Sequence, residues 1–322
     1  LEFRRVLFRS KVYLNKGLFF EPTDDYGLPQ LAFGKMAWGD LDNDGDIDLA
    51  ISGIDKDEKF IFNVYYKEDT KERFIVEPNS LNWPGFYNGD LKIADIDLDG
   101  DNDIIYGGQS QSGTVGSVIY NSYIRTANPS FNINLALKNS SIEVARIKES
   151  PTPNFTIISS GINAQGTAVL STNYTLNVLD TAGAGSQFPK LKDGDIAVGD
   201  YTNNGRYDIV FTGEDNLGNP VTKLYIQDLN GNFKDSGITL KGLRKSTAHW
   251  VDYDMDGDLD LFLTGIDVLG GAKTYLYKSE IANKKNVAPA KITGLKTEDL
   301  GNGKVRFSWD KPSDDYSNEL GY

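Results

Sequence analysis

The 322-residue chain has no cysteine, a single histidine and only two methionines. Without cysteine there is neither a disulfide framework nor a thiolate metal site, and a zinc centre loses its usual sulfur and nitrogen donors. No stretch reaches the ~18 consecutive apolar residues of a membrane-spanning helix. Basic residues are outnumbered, 33 Lys and Arg against 46 Asp and Glu, for a net charge of −13. That balance argues against a nucleic-acid partner, because such binding rests on phosphate neutralisation by cations. No phosphate loop, nucleophile elbow or metalloprotease motif is present. The lone histidine, His249, falls on an apolar strand next to an acidic stretch, where a buried, hydrogen-bonded imidazole is expected. No helical period of useful length occurs.

What is abundant is aspartate in a repeated setting. "GDLDNDGDIDLAISG" carries Asp40, Asp42, Asp44, Asp46 and Asp48 around Gly45. "DIDLDGDNDIIYGG" carries Asp95, Asp97, Asp99, Asp101 and Asp103, and "DYDMDGDLDLFLTG" carries Asp252, Asp254, Asp256, Asp258 and Asp260. A weaker copy, "DYTNNGRYDIVFTG", has Asp200, Thr202, Asn204, Arg206 and Asp208 at the same places. The leading acids at 40, 95, 200 and 252 are spaced by 55, 105 and 52, and 105 is about twice 52. A fifth unit is therefore expected near position 148. There, "ARIKESPTPNFTIISSG" lacks the acids but keeps an apolar strand and a closing glycine. The closing glycines fall at 53, 107, 161, 213 and 265. So regular a period marks an array of supersecondary units.

Each acidic loop lies between two apolar runs, the second of them nearly continuous, as suits a strand buried on both faces. Alternating runs such as "FNVYYKE" and "KLYIQD" follow, then a further short strand in most units. Four strands per ~52 residues is the content of a propeller blade. The expected fold is all-β, a β-propeller of about five visible four-stranded blades over residues 11–282. Whether these make a whole ring or part of a seven-bladed one is left open. Residues 1–10, "LEFRRVLFRS", match nothing downstream and are set aside as a non-native or truncation scar. Residues 283–290 form a polar linker. Residues 291–322 read as two short strands around a "GNG" turn, with Ile292, Leu295, Val305, Phe307 and Trp309 on them. That pattern resembles the start of a fibronectin type III domain, too short to close a β-sandwich core by itself.

The spacing D-x-D-x-D-G-x-x-D suits a hard cation held by oxygen. Asp40, Asp42, Asp44 and Asp48 offer carboxylates, Asp46 its backbone carbonyl, and Gly45 the positive φ of a sharp turn. Position 12 is Ile51, Tyr106 or Leu263 rather than a bidentate Glu, and the flanks are strands, so the loop is not an EF-hand. Calcium is expected at three strong sites, with a weaker fourth where Thr202 and Asn204 replace carboxylates. Four such ions would bring the net charge from −13 to −5.

The acidic loop, the preceding "WGD" (Trp38–Asp40) and the trailing "LAISG" strand resemble the FG-GAP/VCBS repeat family, the calcium-binding blades of integrin α-subunits and of many secreted bacterial proteins. The Gly-Ala-Pro of the family name is absent, which favours the bacterial branch. The resemblance implies an extracellular or cell-surface location and a role in adhesion or recognition, with an extracellular glycan or surface protein as ligand. The alternative function is a calcium-assisted polysaccharide lyase or another propeller carbohydrate-active enzyme, although no catalytic base is singled out. The face opposite the acidic loops is the expected ligand side, and "NSLNWPGFYNGD" places Trp83, Phe86 and Tyr87 there, either stacking on a sugar or packing between blades.

Overall fold

The computed structural model describes residues 10–23, 26–67, 73–96, 99–121, 126–128, 137–145, 155–173, 187–280, 291–301 and 304–310. Among them every regular element is a strand except one 3₁₀ turn at Pro78–Asn82. Strands β1 (Tyr13–Asn15) and β2 (Phe20–Pro22) form a hairpin. A four-stranded antiparallel sheet follows, β3 (Ala32–Gly39), β4 (Asp48–Ile54), β5 (Phe60–Lys67) and β6 (Phe74–Val76). The second sheet is β7 (Tyr87–Ala94), β8 (Asp103–Gln109), β9 (Val115–Asn121) and β10 (Thr126–Asn128). The third shows three strands, β11 (Lys138–Ala145), β12 (Thr156–Ile162) and β13 (Ala168–Asn173). The fourth is β14 (Lys192–Gly199), β15 (Asp208–Glu214), β16 (Pro220–Gln227) and β17 (Phe233–Asp235), and the fifth β18 (Arg244–Val251), β19 (Asp260–Ile266) and β20 (Ala272–Tyr277).

The five sheets stack in chain order. Strands β3, β7, β11, β14 and β18 each pack on the next, with an apolar layer between successive sheets. Ala50, Phe62 and Val64 of the first sheet meet Leu91, Ile104 and Tyr106 of the second. Ile105 of the second meets Ile142 and Ile157 of the third. Ile158 of the third meets Ile196, Ile209 and Phe211 of the fourth, whose Val210 and Leu224 meet Ala248, Leu261 and Leu263 of the fifth. Sandwiching explains the continuous apolar runs: in β4, β8, β12 and β15 the first six residues are all buried, because both faces of each strand are covered. Among the described residues the flank of β3 has no such cover, and Phe33, Met36 and Trp38 are half exposed or more. Val12, Leu28 and Leu31 cover Leu49, Ile51 and Tyr65 farther out on that sheet.

The closing glycines have a packing cause that the sequence does not display. Each of the five inner strands carries a bulge two residues in, shown by a register shift and by a left-handed residue: Phe33, Asn88, Asn139, Asp193 or Lys245. The bulge presses on the sixth residue of the second strand, which is the closing glycine in four sheets and Gly108, one residue past the expected Gly107, in the second sheet. A Cβ on Gly53 would lie 3.0 Å from the Gly34 Cα and the Ala32 carbonyl, and one on Gly265 would lie 2.8 Å from the Ser246 Cβ. Gly265→Ala is expected to cost about 1–3 kcal/mol, the usual price of overpacking a tight contact, as measured by denaturant unfolding.

Polar groups link the inner strands from sheet to sheet. Lys35 Nζ lies 3.4 Å from Asp90, whose Oδ2 accepts from the Ile142 N–H at 2.7 Å. Ser141 Oγ donates to Asp195 at 2.7 Å, and Asp195 Oδ2 accepts from the Ala248 N–H at 3.1 Å. Lys92 Nζ donates to Glu143 at 3.1 Å. Burial raises the Glu143 carboxyl above its ordinary value, with Lys92 pulling the other way. Burial pulls the Lys92 ammonium down, but Glu143, Asp90 and Asp195 outweigh it. Because the folded state holds Glu143 above its unfolded pKa, this group costs stability as pH rises from the unfolded value through the folded one. Removing the compensating ammonium widens that window. Lys92→Met is therefore expected to destabilise by about 1–3 kcal/mol at pH 8, below the range for fully buried pairs because both side chains are partly exposed, and by distinctly less at pH 5. Unfolding curves at the two pH values measure this.

Beyond the fifth sheet, β21 (Thr293–Gly301) and β22 (Lys304–Asp310) pair as a hairpin. Its Leu295, Val305, Phe307 and Trp309, and Ile292 just before it, are all exposed, as expected of strands with no opposing sheet among the described residues. The expected linker, 283–290, lies outside the described residues, as do 1–9 and 311–322. Ser10, the last residue of the segment set aside as a scar, is buried and donates its hydroxyl to the Pro29 carbonyl.

Candidate metal centres

Each acidic loop joins an inner strand to the second strand of its sheet, so the loops emerge at one edge of successive sheets. The local folding is driven by aspartate accepting main-chain N–H groups. The leading acid reaches across its loop to the glycine amide: Asp40 to Gly45 at 3.0 Å, Asp95 to Gly100 at 3.1 Å, Asp200 to Gly205 at 2.6 Å and Asp252 to Gly257 at 3.1 Å. The fifth position turns the chain by accepting the amide two residues on. Asp44, Asp99, Asn204 and Asp256 bind the N–H of Asp46, Asp101, Arg206 and Asp258 at 2.8–3.2 Å. The glycines take φ of 92, 97, 78 and 92°, which a side chain would strain.

The ninth-position acid does something the motif does not announce. Asp48, Asp103, Asp208 and Asp260 are buried, at most 1 % exposed. One oxygen accepts a loop amide: Leu41 at 2.8 Å, Ile96 at 3.0 Å, Thr202 at 2.9 Å or Tyr253 at 3.0 Å. In three loops the other oxygen accepts an amide at the end of the third strand: Lys67 at 2.9 Å, Gln227 at 3.0 Å and Ser279 at 2.8 Å. This carboxylate latches the loop to the sheet. Burial pushes Asp48 and Asp208 up to about 6 despite those bonds.

Carboxylates converge ahead of the latch. Oxygens of Asp40, Asp42 and Asp44 lie within 4.8 Å of one another, and so do those of Asp252, Asp254 and Asp260. Burial and then Asp44 raise Asp42, and burial and then Asp256 raise Asp258, as expected where like charges crowd. Asp40 Oδ1 is buried with no hydrogen-bond partner. An all-oxygen donor set with orphaned carboxylate oxygens, Asp40 Oδ1 among them, suits a hard divalent cation. Two lysines also attend the loops: Lys67 Nζ lies 2.9 Å from Asp46, and Lys278 Nζ contacts Asp254 and lies 3.9 Å from Asp256, with its hydrogen bond lowering Asp254. Neither is visible from the motif, since both sit about 20 residues downstream, at the end of the third strand. Arg206 directs its guanidinium at the Gln227 carbonyl, 3.5 Å away. Asp97 and residues 146–150 of the unit without loop aspartates lie outside the described residues.

The ring side chains are placed by the sheets that flank them. Phe86 is buried and packs on Tyr106 at 5.6 Å, so it offers no face to a ligand. Trp83 stacks on Phe62 at 5.6 Å and Tyr87 meets Phe60 edge-on at 4.8 Å, leaving both half-buried. Of the two readings of this loop, packing between sheets is the one these contacts describe. His249 is exposed rather than buried, because it lies on the outward side of the last inner strand. Trp38 and Trp250, equivalent in the repeat, differ for the same reason of neighbours. Trp250 lies over Gly199 of the preceding sheet and donates Nε1–H to the Ala197 carbonyl at 3.3 Å, whereas Trp38 is half exposed.

Among the described residues no helix is long and apolar enough to cross a membrane. No curated protein matches the chain. Solved structures to which it is similar include a mutant of the Aleuria aurantia lectin in complex with alpha-methyl-L-fucoside, with 12 % identity over 77 % of this chain and 75 % of the other at a TM-score of 0.42. A hypothetical protein from Leishmania major has 15 % identity over 86 % and 91 %, with a TM-score of 0.39. The catalytic domain of a Coprinopsis cinerea alpha-L-arabinofuranosidase has 8 % identity over 84 % and 96 %, with a TM-score of 0.36. Residues 200–263, from the leading acid of the fourth loop to β19, match the FG-GAP-like repeat family.

Proposed function

We propose that this chain is a calcium-binding recognition module of the extracellular space or the bacterial cell surface, its five sheets being successive blades of a β-propeller over residues 11–282. Residues 291–322 are read as the beginning of a fibronectin type III module. Asp40, Asp42 and Asp44, with the Asp46 carbonyl, hold one ion against the latch Asp48. Asp95, Asp97 and Asp99, and Asp252, Asp254 and Asp256, do the same ahead of Asp103 and Asp260. The fourth loop offers Asp200 and neutral oxygens and binds more weakly. Calcium would supply positive charge where carboxylates crowd and tie each loop into one shape. The observation that carries this reading is the convergence of Asp40, Asp42 and Asp44 around a buried carboxylate oxygen that nothing else satisfies.

The ligand side is the opposite edge, formed by the hairpins between second and third strands. All five share one design, in which residue i, here Asp55, Ser110, Asn163, Asp215 or Asp267, gives its N–H to the carbonyl four residues on. Rigid tips of this kind present exposed side chains such as Leu217, Val268 and Leu269, at least 74 % exposed, to a glycan or surface protein. Binding to a glycan array in calcium, lost in chelator and without turnover, is the expected result. Release of unsaturated product from a uronate polymer would replace this reading with that of a lyase.

A further inference from the structure

Neighbouring acidic loops touch each other through asparagine. In the first loop Asn43, at the fourth position, has a left-handed backbone, φ 59°, which aims its amide at the second loop and donates to the Asp101 carboxylate. In return Asn102 of the second loop donates to the Asp40 carbonyl at 2.9 Å. The fourth loop repeats the device: Asn203, again at the fourth position and at φ 50°, donates to the Gly257 carbonyl of the fifth loop at 3.3 Å. In the fifth loop the fourth position is Met255, at φ 59° and 90 % exposed, with no loop beyond it among the described residues. The fourth position therefore projects toward the next loop in the array, and asparagine there both tolerates the left-handed backbone and bridges the gap.

We infer that the acidic loops bind calcium as two cooperative pairs, first with second and fourth with fifth, coupled by Asn43, Asn102 and Asn203. This rests on the calcium reading above. The physical basis is shared ordering. The bridges join the segments that an ion would fix: Asn43 lies between Asp42 and Asp44, Asp101 and Asn102 lie between Asp99 and Asp103, and the Asp40 carbonyl belongs to a ligand residue. An ion in one loop holds its bridge partners still, so the neighbouring loop loses less freedom when it takes its own ion. Couplings of this kind reach from fivefold to about a hundredfold. With two hydrogen bonds in the first pair and one in the second, an increase of about fivefold to tenfold is expected in the first pair and a smaller one in the second.

Calcium titration calorimetry on the full chain tests this. In the parent protein the first-pair isotherm should be steeper than independent sites allow. Asn43→Ala with Asn102→Ala should keep the number of ions and flatten the isotherm to independent binding. Asp95→Asn with Asp99→Asn, which disables the second loop, should weaken the first loop about fivefold to tenfold, whereas Asp252→Asn with Asp256→Asn should leave the first pair unchanged. If the double asparagine variant fails to fold, judged by circular dichroism, Asn203→Ala carries the same test on the other pair. An asparagine variant that binds calcium with the parent's steepness overturns the coupling and leaves the calcium reading standing. A parent that takes up no calcium at millimolar ion removes that reading, and the coupling with it.

Discussion

Chelation is expected to lower the melting temperature of this protein by about 15–30 °C relative to millimolar calcium. Two of the loops hold carboxylate oxygens within 4.8 Å of one another, Asp40, Asp42 and Asp44 in the first and Asp252, Asp254 and Asp260 in the fifth. Without a cation they repel, and burial together with this crowding displaces Asp42 and Asp258 toward the protonated form. An ion bound only by the folded chain stabilises it by mass action, about 2.7 kcal/mol per site at a hundredfold excess over Kd. Three independent sites give roughly 8 kcal/mol, and each kcal/mol moves the midpoint of a domain this large by about 2–4 °C. The total is comparable with the whole ~5–15 kcal/mol stability of a typical domain, so the effect cannot hide in experimental scatter. Coupling between loops adds to it. Scanning calorimetry in calcium and in chelator is the measurement, and an unchanged midpoint would show that the loops are only solvated acidic turns.

Asp208→Ala is expected to cost about 3–5 kcal/mol in calcium and in chelator alike. Asp208 is fully buried and its two oxygens accept the Thr202 and Gln227 amides at 2.9 and 3.0 Å. Truncation leaves both N–H groups without an acceptor in a place closed to water, at ~1.5–3 kcal/mol for each bond to a charged group. The loop also loses its tie to the third strand. Asp42→Asn should behave in the opposite way. Asp42 is exposed and crowded by Asp44 and Asp40, so neutralising it relieves repulsion in chelator and removes a ligand in calcium. The metal-free midpoint should hold or rise, and the calcium-bound midpoint should fall. Measuring both variants in both conditions separates latch from ligand: a large calcium-independent loss belongs to the ninth position, a calcium-dependent loss to the third. Equal behaviour of the two variants would refute the division.

The sequence by itself determined the repeat and what each unit is made of. The spacing of leading acids located five units, including the one without loop aspartates, whose β11 and β12 stand where the period requires. The continuous apolar runs marked strands covered on both faces, and β4, β8, β12 and β15 are buried accordingly. These features were legible because turn chemistry and strand burial are written in residues close together in the chain. The tertiary structure decided everything that depends on a partner about twenty to sixty residues away or on which neighbours a sheet has. It made the ninth-position acid a latch by bringing the third strand to it, and it turned the closing glycine into a seat for the bulge of the inner strand. It set Phe86 into the layer between two sheets rather than on a surface, and it left Trp38 exposed while covering its repeat equivalent Trp250. It also placed Asn43 against Asp101 and Asn203 against Gly257, contacts between residues 58 and 54 positions apart. A repeat period shows that such residues are equivalent, but only the stacking of one sheet on the next shows which of them meet.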